Sequence, residues 1–233
     1  MILSKRLETI AAMVSKGDCV ADIGTDHAFV PIVLIKRGVC QKAVASDIGK
    51  GPLEKAREHV KDEGLSGVVD LRLGSGLSTL TPGEADSIVI AGMGGLLITD
   101  ILKAGEAVAK SAKELILSPH TDYAEVRKFL SESGYVFVDE KAVFEDGKYY
   151  FVMKVRPGEG APLSARELHY GPVLLRNRDA VLLSYLLDQK EKTEGILTSL
   201  RQATLSPQIE KARDEREAER KQIEETIQWI KQM

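Results

Sequence analysis

A short turn near the N-terminus carries side chains that could bind a charged ligand. The stretch "ADIGTDHAFVP" (21–31) places Asp22 before Gly24 and then adds Asp26 and His27. Turns that bind dinucleotides usually carry two further glycines here, because the backbone must approach a pyrophosphate closely. Carboxylates repel phosphate groups and attract cations. The turn therefore favours a ligand that lacks phosphates and carries positive charge.

A second acid follows the next apolar run. "VASDIGKGP" places Asp47 at the end of a predicted strand, with Ile48 beside it. An acid at this point can accept hydrogen bonds from both ribose hydroxyls, and Ile48 could pack on an adenine. The alternative for Asp47 is a turn or helix-capping acid. Together with Asp22 and Gly24, Asp47 favours a nucleoside that carries a cationic amino acid, as S-adenosylmethionine does.

Two further turns follow apolar runs. "LRLGSGLSTL" has a Gly-Ser-Gly turn at 74–76, and "IVIAGMGG" ends in glycines at 92–95. Ligands of parallel sheets bind outside the carboxyl ends of the strands. Four such turns in chain order therefore predict one cleft at that edge of a sheet.

The elements that must position these turns alternate between strands and helices. Short apolar strands separated by helical patterns predict an α/β fold with a mostly parallel sheet and helices on both faces. The last two strands are joined by "EDGK", a tight-turn signal that predicts a terminal antiparallel hairpin. The strands are predicted at 19–24, 42–48, 69–73, 87–91, 114–118, 135–144 and 149–155.

The pattern changes after "RPGEGAP" (156–162), which is typical of a linker. We expect a ligand-binding domain over 1–160 and a C-terminal α-helical hairpin, coiled-coil-like, over 161–233. Its two helices are predicted at 172–203 and 207–232, with "TLSP" as the break. The basic side chains that could grip a nucleic acid on this hairpin are Arg176, Arg178, Lys190, Lys192 and Arg201. The alternative is a solvated helix face.

Composition narrows the class of protein. A net charge of −3 excludes a chain that is basic throughout, although a local basic face, including Lys5, Arg6 and Lys36 near the cleft, stays possible. No apolar stretch is long enough to span a bilayer, so we expect no membrane partner. The two cysteines, Cys19 and Cys40, lie in apolar surroundings and predict reduced thiols and a cytoplasmic protein. His27 and His120 lack further ligands at metal spacing, so we expect no metal.

These motifs carry a resemblance to a known family. The chain resembles the class I methyltransferase fold, which is Rossmann-like. More closely, "ADIGTDHAFVP", "ASDIGKGPLEKA", "IAGMGG" and "LSPH" resemble the bacterial TrmK family over the whole chain. That family methylates N1 of the adenine at position 22 of tRNA, with S-adenosylmethionine as donor. The resemblance therefore implies this activity, this cofactor and a tRNA partner.

The resemblance also implies a role for each turn. It places the donor's methionine end at Asp22, Gly24, Asp26 and His27, and its ribose at Asp47. The donor contacts implied by the later turns are Gly74, Ser75 and Gly76 by the adenine, and Ala91 and Gly92 near the reacting methyl. Many class I methyltransferases carry an acid after the third strand, where this chain has Ser75.

The chemistry follows partly from motifs that the sequence lacks. Enzymes that methylate an exocyclic amine commonly carry, at the end of the fourth strand, an Asn or Asp followed by Pro-Pro and an aromatic residue. This chain has "AGMGG" at that position instead. Methylation of pyrimidine C5 needs a cysteine in the cleft, and neither cysteine ends a strand. Adenine N1 can attack directly, so positioning and electrostatics suffice. The small residues at 92–95 leave room for a flipped base, with Met93 and Gly94 as candidate substrate contacts.

Several roles stay open from sequence alone. Asp26 could stabilise the positive charge that develops on the adenine, orient the donor's ammonium group, or cap its own turn. His120 could contact substrate or be a loop histidine. Tyr149, Tyr150 and Phe151 could stack on a base, although a hairpin core is the better expectation. Alternative functions are a small-molecule methyltransferase with a helical lid or dimer surface, and a non-enzymatic nucleotide-binding scaffold.

Overall fold

The computed structural model describes residues 3–204 and 206–232. The chain divides into two compact units, Met1–Leu163 and Ser164–Met233. The first unit contains a sheet covered by helices, and the second unit is helical.

The sheet of the first unit has seven strands in the order β3-β2-β1-β4-β5-β7-β6. The first five strands are parallel, while β7 runs antiparallel to both β5 and β6. The strands are β1 Cys19–Ile23, β2 Lys42–Asp47, β3 Val69–Leu73, β4 Ser87–Ala91, β5 Glu114–Ser118, β6 Tyr135–Glu145 and β7 Lys148–Pro157. This arrangement confirms the predicted mostly parallel sheet with a terminal hairpin.

Helices cover both faces of the sheet. Ile88 and Ile90 of β4 face a core that α4 and α6 cover, whereas Val89 between them faces a core covered by α1 and α2. This alternation explains why the central strands are apolar on both sides. The helices of the first unit are α1 Lys5–Met13, α2 Phe29–Lys36, α3 Lys50–Asp62, α4 Gly95–Ala104, α5 Glu106–Ser111 and α6 Tyr123–Glu132. A short 3₁₀ helix spans Gly76–Thr79.

The second unit differs from its prediction in two respects, the first of which is an additional helix at Ala165–Tyr170. The helix expected at 172–203 is interrupted, because Arg178 adopts the left-handed region with φ of 51° and Asp179 caps a new helix. The helices are α7 Ala165–Tyr170, α8 Pro172–Arg176, α9 Ala180–Gln202 and α10 Pro207–Lys231. The predicted break before α10 includes Leu205, which lies outside the described residues.

The two long helices of this unit, α9 and α10, form an antiparallel hairpin. Arg201 pairs with Glu217 at 2.7 Å, and Lys190, earlier in α9, pairs with Glu224, later in α10, at 3.0 Å. Leu182, Leu186 and Leu197 of α9 are buried, as are the isoleucines near the end of α10. The predicted coiled-coil character of this hairpin stays a prediction. Over the described ranges, no helix has the length and apolar character needed to cross a membrane.

Candidate active site

A cavity of about 290 Å³ opens beyond the carboxyl ends of β1 and β4. It brings together the turn after β1, the turn after β4, the N-terminal helix and the segment after β5. The lining residues are Arg6, Leu7, Asp22, Gly24, Thr25, Asp26, His27, Phe29, Val30, Ala91, Gly92 and His120. Seven of the sequence-predicted candidates (Asp22, Gly24, Asp26, His27, Ala91, Gly92 and His120) therefore line one cavity.

Asp22 is the buried acid of this cavity. Asp22 is the penultimate residue of β1 and is only 8% exposed. Burial raises the pKa of this carboxyl to about 6, a hydrogen bond from Thr25 lowers it in part, and the charge of Asp47 raises it further. A buried carboxylate with too few partners is stabilised by a cation. The site therefore fits the ammonium end of an amino acid better than a phosphate.

The turn after β1 has a shape that only glycine permits at one position. Gly24 has φ of +77°, and a Cβ there would lie 1.9 Å from the terminal methyl of Met93. The amides of Gly24 and Thr25 both donate to the Ser46 carbonyl, at 2.8 and 2.9 Å, which joins the turn to β2. Met93 thus covers the turn although it does not line the cavity.

Asp26 and His27 lie on the open side of the turn. The Asp26 side chain is 73% exposed, and its carboxylate lies 3.3 Å from His27 Nε2. The amide of Ala28 donates to the Thr25 hydroxyl at 3.1 Å, so Thr25 fills the capping role considered for Asp26. Within residues 3–204 and 206–232, no backbone amide donates to the Asp26 carboxylate. The catalytic and donor-orienting interpretations of Asp26 remain.

His27 is held by aromatic neighbours. Its ring stacks on Phe29 with a centroid distance of 4.9 Å and an angle of 8°. The His27 carbonyl also lies 3.2 Å from His59 Nδ1 on α3. These contacts fix the ring at the rim of the cavity.

Asp47 fills the turn-capping role that the sequence allows, and its ribose-binding role stays a prediction. It is half-buried at the end of β2, and its Oδ1 accepts a hydrogen bond from the Gly49 amide at 2.7 Å. Its second oxygen has no contact of this kind in the described part of the chain. Ile48 beside it is 76% exposed, as an apolar platform for a ligand would be. Neither residue lines the first cavity.

The Gly-Ser-Gly turn after β3 is not brought into the first cavity. Ser75 and Gly76 instead line a second cavity of about 590 Å³, together with Leu97 and Ile101 of α4. Gly74 packs tightly, since a Cβ there would lie 2.5 Å from Thr79 Cγ2. The proposed adenine contacts of this turn stay a prediction.

The glycines after β4 serve different purposes. Gly92 has φ of +80° and its amide donates to the Ser118 carbonyl at 3.1 Å. Gly95 packs against the next loop, since a Cβ there would lie 2.5 Å from the Thr121 carbonyl. Gly94 is the N-cap of α4 and does not line the cavity. Of the residues 92–95, only Gly92 therefore lines the cavity. The space for a flipped base, which was expected along all four residues, is limited to Gly92.

The basic candidates of the hairpin lie in the second unit. Arg176 and Lys192 are exposed, and the Arg178 guanidinium lies 6.0 Å from the Trp229 ring centre. Lys190 forms the ion pair with Glu224 and so has a hairpin-stabilising contact. Arg201 likewise pairs with Glu217. Contact of these five side chains with a nucleic acid stays a prediction.

Two features of the site were not predicted from sequence. Thr25 was not a candidate, yet it hydrogen-bonds both Asp22 and the Ala28 amide. The start of α1 lines the cavity through Leu7 as well as through Arg6, which the sequence had placed near the cleft, and an amphipathic pattern alone does not say where a helix docks. In the described part of the chain, no cluster of three or more His, Cys, Asp or Glu could hold a metal ion.

Comparison with known proteins defines the class first. A family model described as a methyltransferase domain matches residues 3–153, which is most of the first unit. The fold and this match make the chain a methyltransferase of the Rossmann-like class. The tRNA (adenine(22)-N(1))-methyltransferase of Bacillus subtilis is 37% identical over 207 residues, covering 86% of this chain and 87% of that protein. The chain belongs to the TrmK family.

Two solved structures of similar proteins contain ligands. The structure of Mycoplasma capricolum TrmK in complex with S-adenosyl-homocysteine superimposes with a TM-score of 0.86 at 26% identity, covering 99% of this chain and 100% of that one. A Streptococcus pneumoniae protein in complex with S-adenosyl-L-methionine gives a TM-score of 0.87 at 32% identity, covering 97% of this chain and 100% of that one.

Proposed function

We propose that this chain transfers a methyl group from S-adenosylmethionine to N1 of adenine 22 in tRNA. The observation that carries the proposal is the buried carboxylate of Asp22 at the end of β1, facing a cavity with Asp26 and Gly92. The adenine-22 specificity of the Bacillus subtilis relative supports the proposed substrate. The ligands bound in the two similar structures support S-adenosylmethionine as the donor. A tRNA substrate also implies a cytoplasmic location.

Asp22 binds the ammonium group of the donor in this proposal. The carboxylate bears a desolvation cost that raises its pKa to about 6, and an ammonium partner offsets that cost. Thr25 orients the carboxylate through its hydroxyl, and Asp47 accepts hydrogen bonds from the ribose. The exposed side chain of Ile48 packs on the donor's adenine.

The bound donor supplies an electrophilic methyl: N1 forms the new bond with its lone pair while the sulfur–carbon bond breaks and its electrons return to sulfur. No proton needs to move in this step, so the chain needs no general base. The target adenine becomes cationic, and the Asp26 carboxylate at the cavity rim stabilises that charge. Gly92 contributes space, because it presents no side chain to the cavity.

The position of the methyl group tests the proposal. We expect an unmodified tRNA transcript with adenine at position 22 to be methylated, and the same transcript with guanine there to remain unmethylated. Equal methylation of the two transcripts would rule out this position. Methylation of neither, with donor binding intact, would favour a small-molecule substrate.

Loss of the Asp47 charge is expected to weaken donor binding. Asp47→Ala removes a charge-assisted acceptor, so we expect a loss of about 1.5–3 kcal/mol in calorimetric titration with S-adenosylmethionine. Asp47→Asn keeps an acceptor for the Gly49 amide and should lose a smaller part. If both variants bind the donor as the wild type does, Asp47 only caps the turn.

We propose that the second unit adds affinity for tRNA through Arg176 and Arg178. Trp229 is the single tryptophan of the sequence, is 39% exposed and lies below the Arg178 guanidinium. Binding of tRNA should therefore change the tryptophan emission of the full chain. Replacing both arginines with alanine should weaken binding and reduce the salt dependence by about one unit of slope per lost phosphate contact.

Lys211→Ala is the matched control for this measurement. Lys211 belongs to the same hairpin, is largely exposed and pairs with Glu215 on its own helix. We expect this variant to keep both the affinity and the salt slope. An unchanged slope in the double arginine variant would show that these arginines contact no phosphate.

A further inference from the structure

Three side chains from separate elements converge at one end of the cavity. Arg6 of α1 and His120 after β5 line it, and Tyr150 of β7 contacts both. The Arg6 guanidinium carbon lies 5.3 Å from the centre of the Tyr150 ring, and the His120 ring centre lies 5.8 Å from it. This cluster was not predicted, because the tyrosine was expected to belong to the hairpin core.

The cluster is held by backbone contacts. The Glu145 carboxylate accepts hydrogen bonds from the amides of Lys5 and Arg6, which ties α1 to the β6–β7 hairpin. The His120 amide donates to the Met93 carbonyl at 2.8 Å, and the Tyr123 hydroxyl donates to the His120 carbonyl at 3.1 Å. These hydrogen bonds fix the backbone at Arg6 and at His120, and the side chains of both residues contact the Tyr150 ring.

Arg6 borders the turn after β4. Its Nη1 lies 3.9 Å from the position that a Gly92 Cβ would take, so a guanidinium borders the open side of this left-handed glycine. A guanidinium binds phosphate oxygens in a fixed geometry. An arginine whose face is held by a tyrosine ring loses less rotamer freedom when it binds.

His120 supplies a group of different character. Burial lowers the pKa of His120, and the positive charges of Arg6 and Lys148 lower it further. The imidazole is therefore neutral at pH 7 and keeps a nitrogen lone pair that can accept a hydrogen bond. The nearby carboxylate of Glu145 already accepts hydrogen bonds from the backbone amides at the start of α1.

We infer that Arg6, His120 and Tyr150 form the pocket for the extruded target nucleotide. Arg6 binds a backbone phosphate of that nucleotide, His120 accepts a hydrogen bond from the 6-amino group of its base, and Tyr150 positions both. The inference rests on the proposed function, because it assigns the substrate side of the same site.

The signs of the charges fit these roles. Methylation places positive charge on the adenine and its amino group, so a neutral acceptor at that group binds the transition state more strongly than the ground state. A guanidinium at the base edge would oppose the reaction. Arg6 therefore serves the phosphate, where its charge is favourable whether the base is methylated or not.

A tRNA with 2-aminopurine at the target position tests the pocket, because this base fluoresces when it leaves the stack. Wild-type protein with S-adenosyl-homocysteine should raise the fluorescence. Arg6→Ala and Tyr150→Ala should lose most of the rise and lower kcat/KM on the normal tRNA about 10- to 100-fold. Tyr150→Phe keeps a ring for Arg6 and should retain most of the signal. Arg57→Ala, an exposed arginine of α3, is the control for loss of a cation.

His120 gives a separate readout. 2-Aminopurine lacks the 6-amino group, so His120→Ala should keep the fluorescence rise and still lower methylation of adenine about 3- to 10-fold.

Wild-type activity in Arg6→Ala, or an effect no larger than that of Arg57→Ala, would overturn the pocket. Calorimetric titration with the donor checks that each variant is folded. If Tyr150→Ala does not fold, the result for Arg6→Ala alone decides whether the pocket exists. A wild-type protein that methylates no tRNA would instead refute the proposed function.

Discussion

Replacing Asp22 with asparagine is expected to stabilise the donor-free protein and, at the same time, to weaken its binding of S-adenosylmethionine. The two effects have opposite signs because the same carboxylate is unfavourably buried in the free protein and favourably paired in the complex. Asparagine keeps the shape and an acceptor for Thr25, and it removes the charge.

The pH dependence gives this prediction a sign and a window. Folding raises the pKa of Asp22 from 3.8 to about 6, so the folded protein binds this proton more tightly than the unfolded chain does. The stability contribution of Asp22 is therefore least favourable above about pH 6 and improves as the pH falls toward 3.8. The full difference is on the order of 3 kcal/mol.

Urea unfolding at pH 8 and pH 5 measures this effect. Asp22→Asn should be more stable than wild type at pH 8, and the advantage should shrink at pH 5. Asp62→Asn, on an exposed acid at the end of α3, serves as the control. A variant less stable than wild type at pH 8 would contradict the buried charge.

Donor titration measures the opposite effect. Loss of one partner from a buried charge pair costs about 2–5 kcal/mol, so Asp22→Asn should bind S-adenosylmethionine at least about 30-fold more weakly. If donor affinity is unchanged, Asp22 does not bind the ammonium group and the fit of this cavity to the donor fails.

Asp26→Asn should reduce turnover while donor affinity is kept. The Asp26 carboxylate is exposed at the cavity rim and caps no backbone amide of the described residues, so removing its charge should leave the turn intact. We expect a loss of about 10- to 100-fold in single-turnover methylation if it stabilises the cationic adenine. Equal losses in donor affinity and turnover would assign Asp26 to donor orientation. Wild-type values for both would mean that its charge has no function.

Much of the fold follows from local sequence. Strands such as Cys19–Ile23 and Glu114–Ser118 are buried along their whole length, and such strands produce short apolar runs that a sequence shows directly. All four turns were predicted to line one cleft because parallel strands end at the same edge, but of these four the first cavity brings together the first and the fourth. Asp22 and Gly92 accordingly lie in one cavity.

The remaining parts depend on packing between distant segments. The docking of α1 depends on Glu145, far along the chain, so sequence could suggest Arg6 near the cleft without giving its partner. Tyr150 sits beside the buried Phe151, and strand alternation decides which of the two contacts Arg6 and His120. The helix expected at 172–203 breaks at Arg178, which adopts a left-handed backbone. The sequence gives no signal of this conformation, because arginine has no preference for it.

The central claim, that this site methylates N1 of adenine in tRNA, is tested most directly by the fate of the donor's methyl group. A pool of unmodified tRNA transcripts is incubated with the protein and with S-adenosylmethionine that carries a deuterated methyl group. The tRNA is then digested at neutral pH to prevent rearrangement of the product. We predict that mass spectrometry finds the deuterated methyl group in 1-methyladenosine and in no other nucleoside. Label in N6-methyladenosine, in a pyrimidine, or in no nucleoside at all would contradict the account.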